Sequence, residues 1–141
     1  MSSINLHASC IAYEECGLLI RGPSGSGKSD LVLRMLDEPN GAMLVADDQV
    51  LLAKESGVIF ASAPPILAGL LEIRGHGIVK RPFLAKVKLS HIIDLNPSTD
   101  ITRMPEPSEL QAIILDQVFP RLKLYSFQAS APARIRAFLH G

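Results

Sequence analysis

The sequence predicts an α/β domain in which a mixed sheet packs against helices. Short apolar runs alternate with turn residues through the first half of the chain, a pattern typical of β-strands. One of these runs leads directly into a glycine-rich segment at 22–29, and residues 30–36 can then form a helix. Strands are expected at residues 4–13, 17–20, 42–46, 50–54 and 58–61.

The glycine-rich segment fits the phosphate-binding P-loop pattern. It consists of Gly22, Pro23, Ser24, Gly25, Ser26, Gly27, Lys28 and Ser29. The glycines let backbone N–H groups turn inward around an anion, Lys28 adds a positive charge for the terminal phosphates, and Ser29 offers a hydroxyl to Mg²⁺. The positive end of the helix that follows would face the phosphate. We therefore expect a nucleotide or another polyphosphate to bind here.

The length and charge of the chain restrict its partners. At 141 residues it fits one domain, 1–141, without a separate substrate domain, so catalytic residues should lie close to the P-loop. The 14 Lys and Arg residues balance 14 Asp and Glu residues and are scattered, which argues against nucleic acid and against general attraction to a membrane. The sequence lacks the patterns of a signal peptide and of a membrane span, so a cytoplasmic location is expected.

Cysteine content and hydropathy give two further expectations. Cys10 and Cys16 should be buried free thiols, because a P-loop protein would work in a reducing cell. Mean hydropathy is positive, at +0.25. Because few residues are aromatic, this value suggests extra apolar surface that a small domain could bury between subunits. We therefore expect a homo-oligomer.

An acidic pair, Asp47 and Asp48, follows the predicted strand at 42–46. In a sheet protein with a P-loop, ligands bind at this edge of the strands. A carboxylate there can hold Mg²⁺ or accept a proton from an attacking hydroxyl. Because successive strand side chains point to opposite faces, the two carboxylates should have different roles.

The middle of the chain carries a third group of polar residues. Residues 63–78 join an apolar helical turn to a glycine-punctuated loop with Glu72, Arg74 and His76. Such a loop can bring a carboxylate and a guanidinium to one phosphate. On pattern alone, a solvated pair beside a turn explains Glu72 and Arg74 somewhat better.

The rest of the chain reads as two strands, at 85–89 and 92–95, a Pro/Ser/Thr-rich loop at 96–107, a strand at 122–127 and a terminal helix at 131–139. Ser108 and Gln111 form a capping-box pattern for a further helix that ends at Phe119. The buried face of that helix would contain Leu110, Ile113, Ile114 and Val118.

Several of these segments together resemble the catalytic domain of HPr kinase/phosphorylase, the bacterial P-loop enzyme that acts on a serine of the phosphocarrier protein HPr. They are Leu6-His7, residues 22–29, residues 44–48 and, most specifically, residues 63–67 running into 71–78. The match is continuous over about the first eighty residues and keeps order and spacing. The resemblance implies a fold like that of the phosphoenolpyruvate carboxykinases and a family that is usually hexameric.

The resemblance also implies ligands for the P-loop and for the middle segment. Lys28 and the loop backbone would hold the phosphates of ATP, while Ser29 and Glu72 would hold Mg²⁺. The signature loop of the family would consist here of Glu72, Arg74, Gly75 and Gly77.

Catalytic roles follow from the same resemblance. Asp48 would be the general base that takes the serine proton, Asp47 would support it, and His7 would lie close to that carboxylate. The sequence leaves open which carboxylate faces the acceptor. Arg103 can be aligned with a family arginine that aids transfer, although the intervening stretch is shorter here.

The expected function is an ATP- and Mg²⁺-dependent serine kinase that acts on HPr or an HPr-like protein. The chain looks like a short form that begins at the catalytic domain. Residues 120–125 stand where the family has a Lys/Pro/Gly/Arg loop linked with dephosphorylation, which leaves phosphorolysis of the phosphoserine open. Two alternatives also stay open: a small-molecule kinase or ATPase on the same scaffold, and a non-catalytic nucleotide-sensing module.

Overall fold

The structure, a computed structural model, describes residues 2–39 and 41–141. The strands are β1 (Ser3–Leu6), β2 (Ser9–Tyr13), β3 (Cys16–Arg21), β4 (Met43–Ala46), β5 (Val50–Glu55), β6 (Val58–Ser62), β7 (Leu70–Ile73), β8 (Gly77–Lys80), β9 (Val87–Leu95), β10 (Gln111–Ile114) and β11 (Gln117–Leu124). The helices are α1 (Lys28–Asp37) and α2 (Ala131–His140), with short 3₁₀ helices at Pro65–Leu67 and Pro107–Leu110. No helix in the described ranges is long and apolar enough to span a membrane.

Within the described residues, nine strands form one mixed sheet, with the order β1-β5-β6-β9-β3-β2-β4 and the β10–β11 hairpin joined through β11 to β9. Strand β9 pairs in parallel with both β3 and β11, and the other pairs are antiparallel. Strands β7 and β8 form a separate two-stranded sheet. The predicted class, a mixed sheet with helices, is confirmed.

Two apolar clusters cover the two faces of the sheet. Along β3, Leu18 and Ile20 belong to the cluster that includes α1 and α2, and Leu19 belongs to the cluster on the other face. This alternation follows from the two-residue period of a strand. Because β3 is buried on both faces, it fixes the position of the loop that follows it.

Both cysteines are free in the described structure, as predicted. Cys10 is fully buried in the core, whereas Cys16, also expected to be buried, is partly exposed. Burial disfavours the thiolate and raises the pKa of the Cys10 thiol to about 12.

The helix predicted from Ser108 to Phe119 is wrong. A short 3₁₀ helix is followed by the β10–β11 hairpin, and the capping box there pairs Glu106 with Glu109 instead. Ala112 and Ile114 are buried while Ile113, between them, is 69 % exposed, which is a strand period. Leu110 and Val118, expected on a buried helix face, are also exposed.

Other boundaries differ because strand partners change along the chain. The run at 4–13 is two strands, since β1 pairs with β5 whereas β2 pairs with β3 and β4. The two strands expected at 85–89 and 92–95 are the single strand β9, and the strand expected at 122–127 begins earlier and ends at Leu124. The segment expected to be a glycine-punctuated loop contains the β7–β8 hairpin, whose turn uses Gly75 at φ 88°.

Candidate active site

The P-loop connects β3 to α1 in the conformation that its glycines permit. Gly25 and Gly27 have φ values of 83° and 92°, in the left-handed region that side chains rarely adopt. Helix α1 begins at Lys28, and no side chain caps its N-terminus. The first N–H groups of a helix have no intrahelical acceptor, so they remain available to an anion.

Lys28 reaches back across its own loop. Its Nζ donates to the carbonyl oxygens of Gly22 at 2.7 Å and Pro23 at 3.2 Å. The residue is only 8 % exposed. Burial lowers the pKa of Lys28, while the negative charges of Asp47 and Asp48 act in the opposite direction. The ammonium is thus held at the P-loop before any phosphate binds.

Asp47 is buried behind the P-loop, immediately after β4. Its Oδ1 accepts a hydrogen bond of 2.7 Å from Ser9 Oγ. Both carboxylate oxygens accept from Ser29 Oγ at 3.0 Å. Asp47 therefore joins β2 to the first turn of α1.

Asp48 has quite different surroundings although it is the next residue. Its backbone is left-handed, with φ 72°, and its side chain is 63 % exposed. Its side-chain contact in the described chain is with His7, whose Nδ1 lies 3.3 Å from Asp48 Oδ1. The carboxylate is thus open to a second molecule.

These elements surround a cavity of about 440 Å³. Strand β7 contributes Glu72, and the turn after it contributes Arg74. The predicted site residues that line the cavity are His7, Ser24, Gly25, Gly27, Lys28, Ser29, Asp48, Glu72 and Arg74. Four segments that are separate in sequence thus meet at one cavity.

The remaining predicted residues lie outside its lining. Gly22, Pro23 and Ser26 belong to the P-loop without lining the cavity, and Asp47 is buried after β4. Gly75 and Gly77 belong to the β7–β8 turn and its second strand. Arg103 lines a different cavity, of about 380 Å³, together with Lys123, Tyr125 and Arg134. The structure therefore does not bring Arg103 to the P-loop cavity.

Sequence reasoning missed four residues that shape the site: Ser9, Arg34, Ser126 and Phe127. Ser9 was hidden in the predicted strand at 4–13, where a serine among apolar residues is the only signal. Ser126 Oγ donates to the Ser26 carbonyl oxygen at 2.5 Å, and Phe127 lines the cavity. Nothing in the local sequence indicates a contact between residues 100 positions apart.

The oxygen atoms at the cavity suit Mg²⁺ bound together with phosphates. Among residues 2–39 and 41–141, no group of three or more His, Cys, Asp or Glu side chains could hold a metal alone. Mg²⁺ does not need such a group, since it keeps several waters and is held by one or two protein oxygens plus substrate phosphates. The Ser29 hydroxyl and the Glu72 carboxylate both line the cavity and are oxygen donors of this kind.

The fold and the loop define a P-loop α/β domain, and comparisons with known proteins identify its family. The profile described as HPr Serine kinase C-terminal domain matches residues 1–99. The chain belongs to this family.

Curated relatives carry the name HPr kinase/phosphorylase. The protein of Clostridium tetani (strain Massachusetts / E88) is 38 % identical over 90 residues, which cover 64 % of this chain and 28 % of the relative. That of Lacticaseibacillus casei (strain BL23) is 41 % identical over 76 residues, which cover 53 % and 23 %. The chain thus spans about a quarter of the length of the curated relatives it matches.

A solved structure, that of the Hpr(Ser) kinase/phosphatase from Coxiella burnetii, superposes with a TM-score of 0.81 at 23 % identity. The match covers 97 % of this chain and 88 % of that one. It shows that the fold extends beyond the residues matched by the profile.

Proposed function

We propose that residues 1–141 form one catalytic domain, a cytoplasmic ATP- and Mg²⁺-dependent kinase that phosphorylates a serine of HPr or an HPr-like phosphocarrier protein. The observation that carries this proposal is that an exposed carboxylate, Asp48, lines the same cavity as Lys28 and Ser29 of the P-loop. Family membership supplies the acceptor class, since the curated relatives are named for HPr.

The phosphate side of the cavity would bind ATP. Lys28 exchanges its bonds to the loop carbonyls for the terminal phosphates, and the N–H groups of the loop and of the first turn of α1 surround them. Phosphoryl transfer needs positioning and charge stabilisation more than covalent chemistry. These groups supply both before the acceptor arrives.

Metal binding would use Ser29 and Glu72, with Asp47 orienting the Ser29 hydroxyl. Mg²⁺ held there would supply positive charge against the charge that develops on the transferring phosphate. Arg74, on the same wall as Glu72, adds a guanidinium that can pair with phosphate oxygens.

Asp48 would act as the general base. The serine oxygen attacks the γ-phosphorus of ATP, the bond from that phosphorus to the bridging oxygen of ADP breaks, and the serine proton passes to the Asp48 carboxylate. His7, 3.3 Å away, orients that carboxylate. A module that only sensed nucleotide would need no such base.

We also propose that copies of the chain associate as a homo-oligomer. Large apolar side chains are exposed on the described surface, among them Ile66 at 86 % and Ile113 at 69 %. Ile113 lies opposite Val118, itself 58 % exposed, across the β10–β11 hairpin. Apolar side chains of this kind are commonly covered at subunit contacts.

The test is incubation of the purified chain with γ-labelled ATP, Mg²⁺ and the HPr-type carrier of the same cell, followed by mass-spectrometric mapping of the modified residue. Label on a carrier serine is expected with the unmodified chain and with Lys88→Ala, which removes an exposed lysine outside the cavity. Lys28→Ala should abolish both labelling and ATP binding.

Absence of label despite ATP binding would refute the proposed acceptor. Transfer to a small hydroxyl compound instead would favour a small-molecule kinase, and ATP binding without any transfer would favour a sensor. Addition of inorganic phosphate to the labelled carrier then tests for phosphorolysis, the activity left open by residues 120–125, which would release labelled pyrophosphate.

A further inference from the structure

A segment near the C-terminus packs against the P-loop from behind. It lies between β11 and α2, at residues 125–130, and brings the fully buried Ser126 to within 2.5 Å of the Ser26 carbonyl oxygen. A Cβ added to Gly27 would overlap Ser126 Oγ and lie 3.0 Å from the Phe127 ring. The segment therefore lies directly against the last loop residue before α1.

Arg34 ties this segment to the helix that begins at the P-loop. Its Nη2 donates to the Ser126 carbonyl oxygen, and its Nη1 donates to the Gln128 carbonyl oxygen at 3.3 Å. The same guanidinium lies 3.1 Å from the carboxylate of Asp30, which lines the cavity. Arg34 thus links helix α1 to Ser126, and Ser126 in turn contacts the P-loop.

The bond from Ser126 fixes the direction of one peptide unit. In a planar trans peptide the N–H of one residue points opposite to the carbonyl of the residue before it. Holding the Ser26 carbonyl toward Ser126 therefore fixes the direction of the Gly27 N–H. The Ser26 N–H is occupied by the Pro23 carbonyl at 3.0 Å, so it is not available to a phosphate, whereas Gly27 lines the cavity.

We infer that Ser126 is a positioning residue that orients the Gly27 N–H toward a nucleotide phosphate and that Arg34 holds Ser126 in place. This inference rests on the proposed use of the cavity as an ATP site. Residue 126 lies beyond the residues 1–99 matched by the family profile, so the role comes from the contacts in this chain.

The experiment measures the Kd for Mg²⁺-ATP by isothermal titration, with thermal melting to verify folding, for the unmodified chain, Ser126→Ala and Ser130→Ala. Ser130 is the matched control, because its exposed hydroxyl accepts a bond from Arg134 at 2.9 Å and does not touch the P-loop. Ser126→Ala should raise the Kd about fivefold to tenfold, the effect of one lost hydrogen bond, and Ser130→Ala should change it less than about twofold.

A merely structural serine would lower the melting temperature and leave the Kd of the folded protein unchanged, so a Kd within twofold for folded Ser126→Ala overturns the inference. If that variant fails to fold, Arg34→Gln takes its place. Its Kd for Mg²⁺-ATP should rise about threefold, and an unchanged Kd would again overturn the inference. The readout is ATP binding alone. A chain that binds ATP but does not label the carrier would thus refute the proposed function and leave this test valid.

Discussion

The two sides of the candidate active site differ in how firmly their side chains are held. On the phosphate side, Lys28 is 8 % exposed and Asp47 is 5 % exposed, and each makes at least two hydrogen bonds. On the other side, called here the acceptor side because we propose that the acceptor serine binds there, the side chains of Asp48 and His7 are 63 % and 56 % exposed and are joined by one contact of 3.3 Å. The fold therefore holds the side chains of the proposed phosphate side firmly and leaves those of the proposed acceptor side open to solvent.

Asp47 and Asp48 show the origin of this difference most clearly. Strand β4 ends at Ala46, and Asp47, the next residue, is hydrogen-bonded to the side chains of Ser9 and Ser29. Asp48 adopts a left-handed backbone and takes its side chain to the surface. Adjacent carboxylates thus have separate surroundings, and the proposed roles can be tested one residue at a time.

The largest expected effect comes from Asp48→Asn. The amide cannot accept the serine proton, so transfer to the carrier should fall about a hundredfold to ten-thousandfold. The affinity for ATP should stay within about twofold, because Asp48 makes no hydrogen bond to the P-loop in the described structure. Single-turnover transfer and isothermal titration measure the two quantities. Loss of transfer in Asp47→Asn but not in Asp48→Asn would exchange the two roles.

Asp47→Asn should have a smaller effect, and this effect should be on Mg²⁺-dependent ATP binding. The amide retains one acceptor oxygen where the carboxylate accepts from Ser9 and Ser29, so the Ser29 hydroxyl loses its fixed orientation. Loss of such an outer partner typically weakens metal binding about tenfold to a hundredfold, and the Mg²⁺ concentration for half-maximal ATP binding should rise accordingly. Asp116→Asn, which changes an exposed turn residue, is the matched control. Equal Mg²⁺ dependence in both variants would contradict the assignment.

Local patterns made much of the phosphate side predictable. The strand, loop and helix from Cys16 to Asp37 are contiguous, and the acidic pair directly follows a strand. The two-residue period of a strand also predicted different roles for the two carboxylates of that pair. These features are specified by neighbours in sequence, which is why a single chain reveals them.

The structure of the C-terminal part was harder to predict from the sequence, because it depends on contacts between distant residues. Ile113, Ile114 and Val118 fit a helical face and a strand equally well, and only pairing with β9 through β11 selects the hairpin. The position of Arg103 depends on how the loop at 96–107 folds against β11, which no local pattern fixes. The contact of Ser126 with Ser26 joins the two parts of the chain and is likewise a tertiary property.

The buried position of Lys28 predicts a pH effect on the phosphate side. Burial lowers the pKa of Lys28 below the ordinary 10.5, against the opposing charges of Asp47 and Asp48. Only the protonated ammonium attracts phosphate. As the pH rises, ATP affinity should therefore begin to fall before pH 10.5 is reached, by up to about tenfold per pH unit above the lowered pKa.

The free energy of unfolding should rise with pH over the range in which ATP affinity falls. The unfolded chain binds more protons at this site between the lowered pKa and 10.5, so stability from Lys28 rises with pH through that window. Titration with ATP and melting curves between about pH 8 and 10.5 separate the two effects. Lys28→Ala should lack the change in stability that this group causes, and a flat ATP affinity in the unmodified chain would show that Lys28 keeps its proton.

The smallest effect is expected on the open acceptor side, from His7→Ala. His7 makes a single contact with Asp48 at the surface, and one such contact contributes little, so transfer should fall less than about fivefold and ATP affinity should not change. His76→Ala, which removes an exposed histidine of the β7–β8 turn outside the cavity lining, provides the control. A fall in transfer as large as that of Asp48→Asn would mean that the histidine handles the proton together with the carboxylate. The acceptor side would then be held as firmly as the phosphate side once the partner is bound.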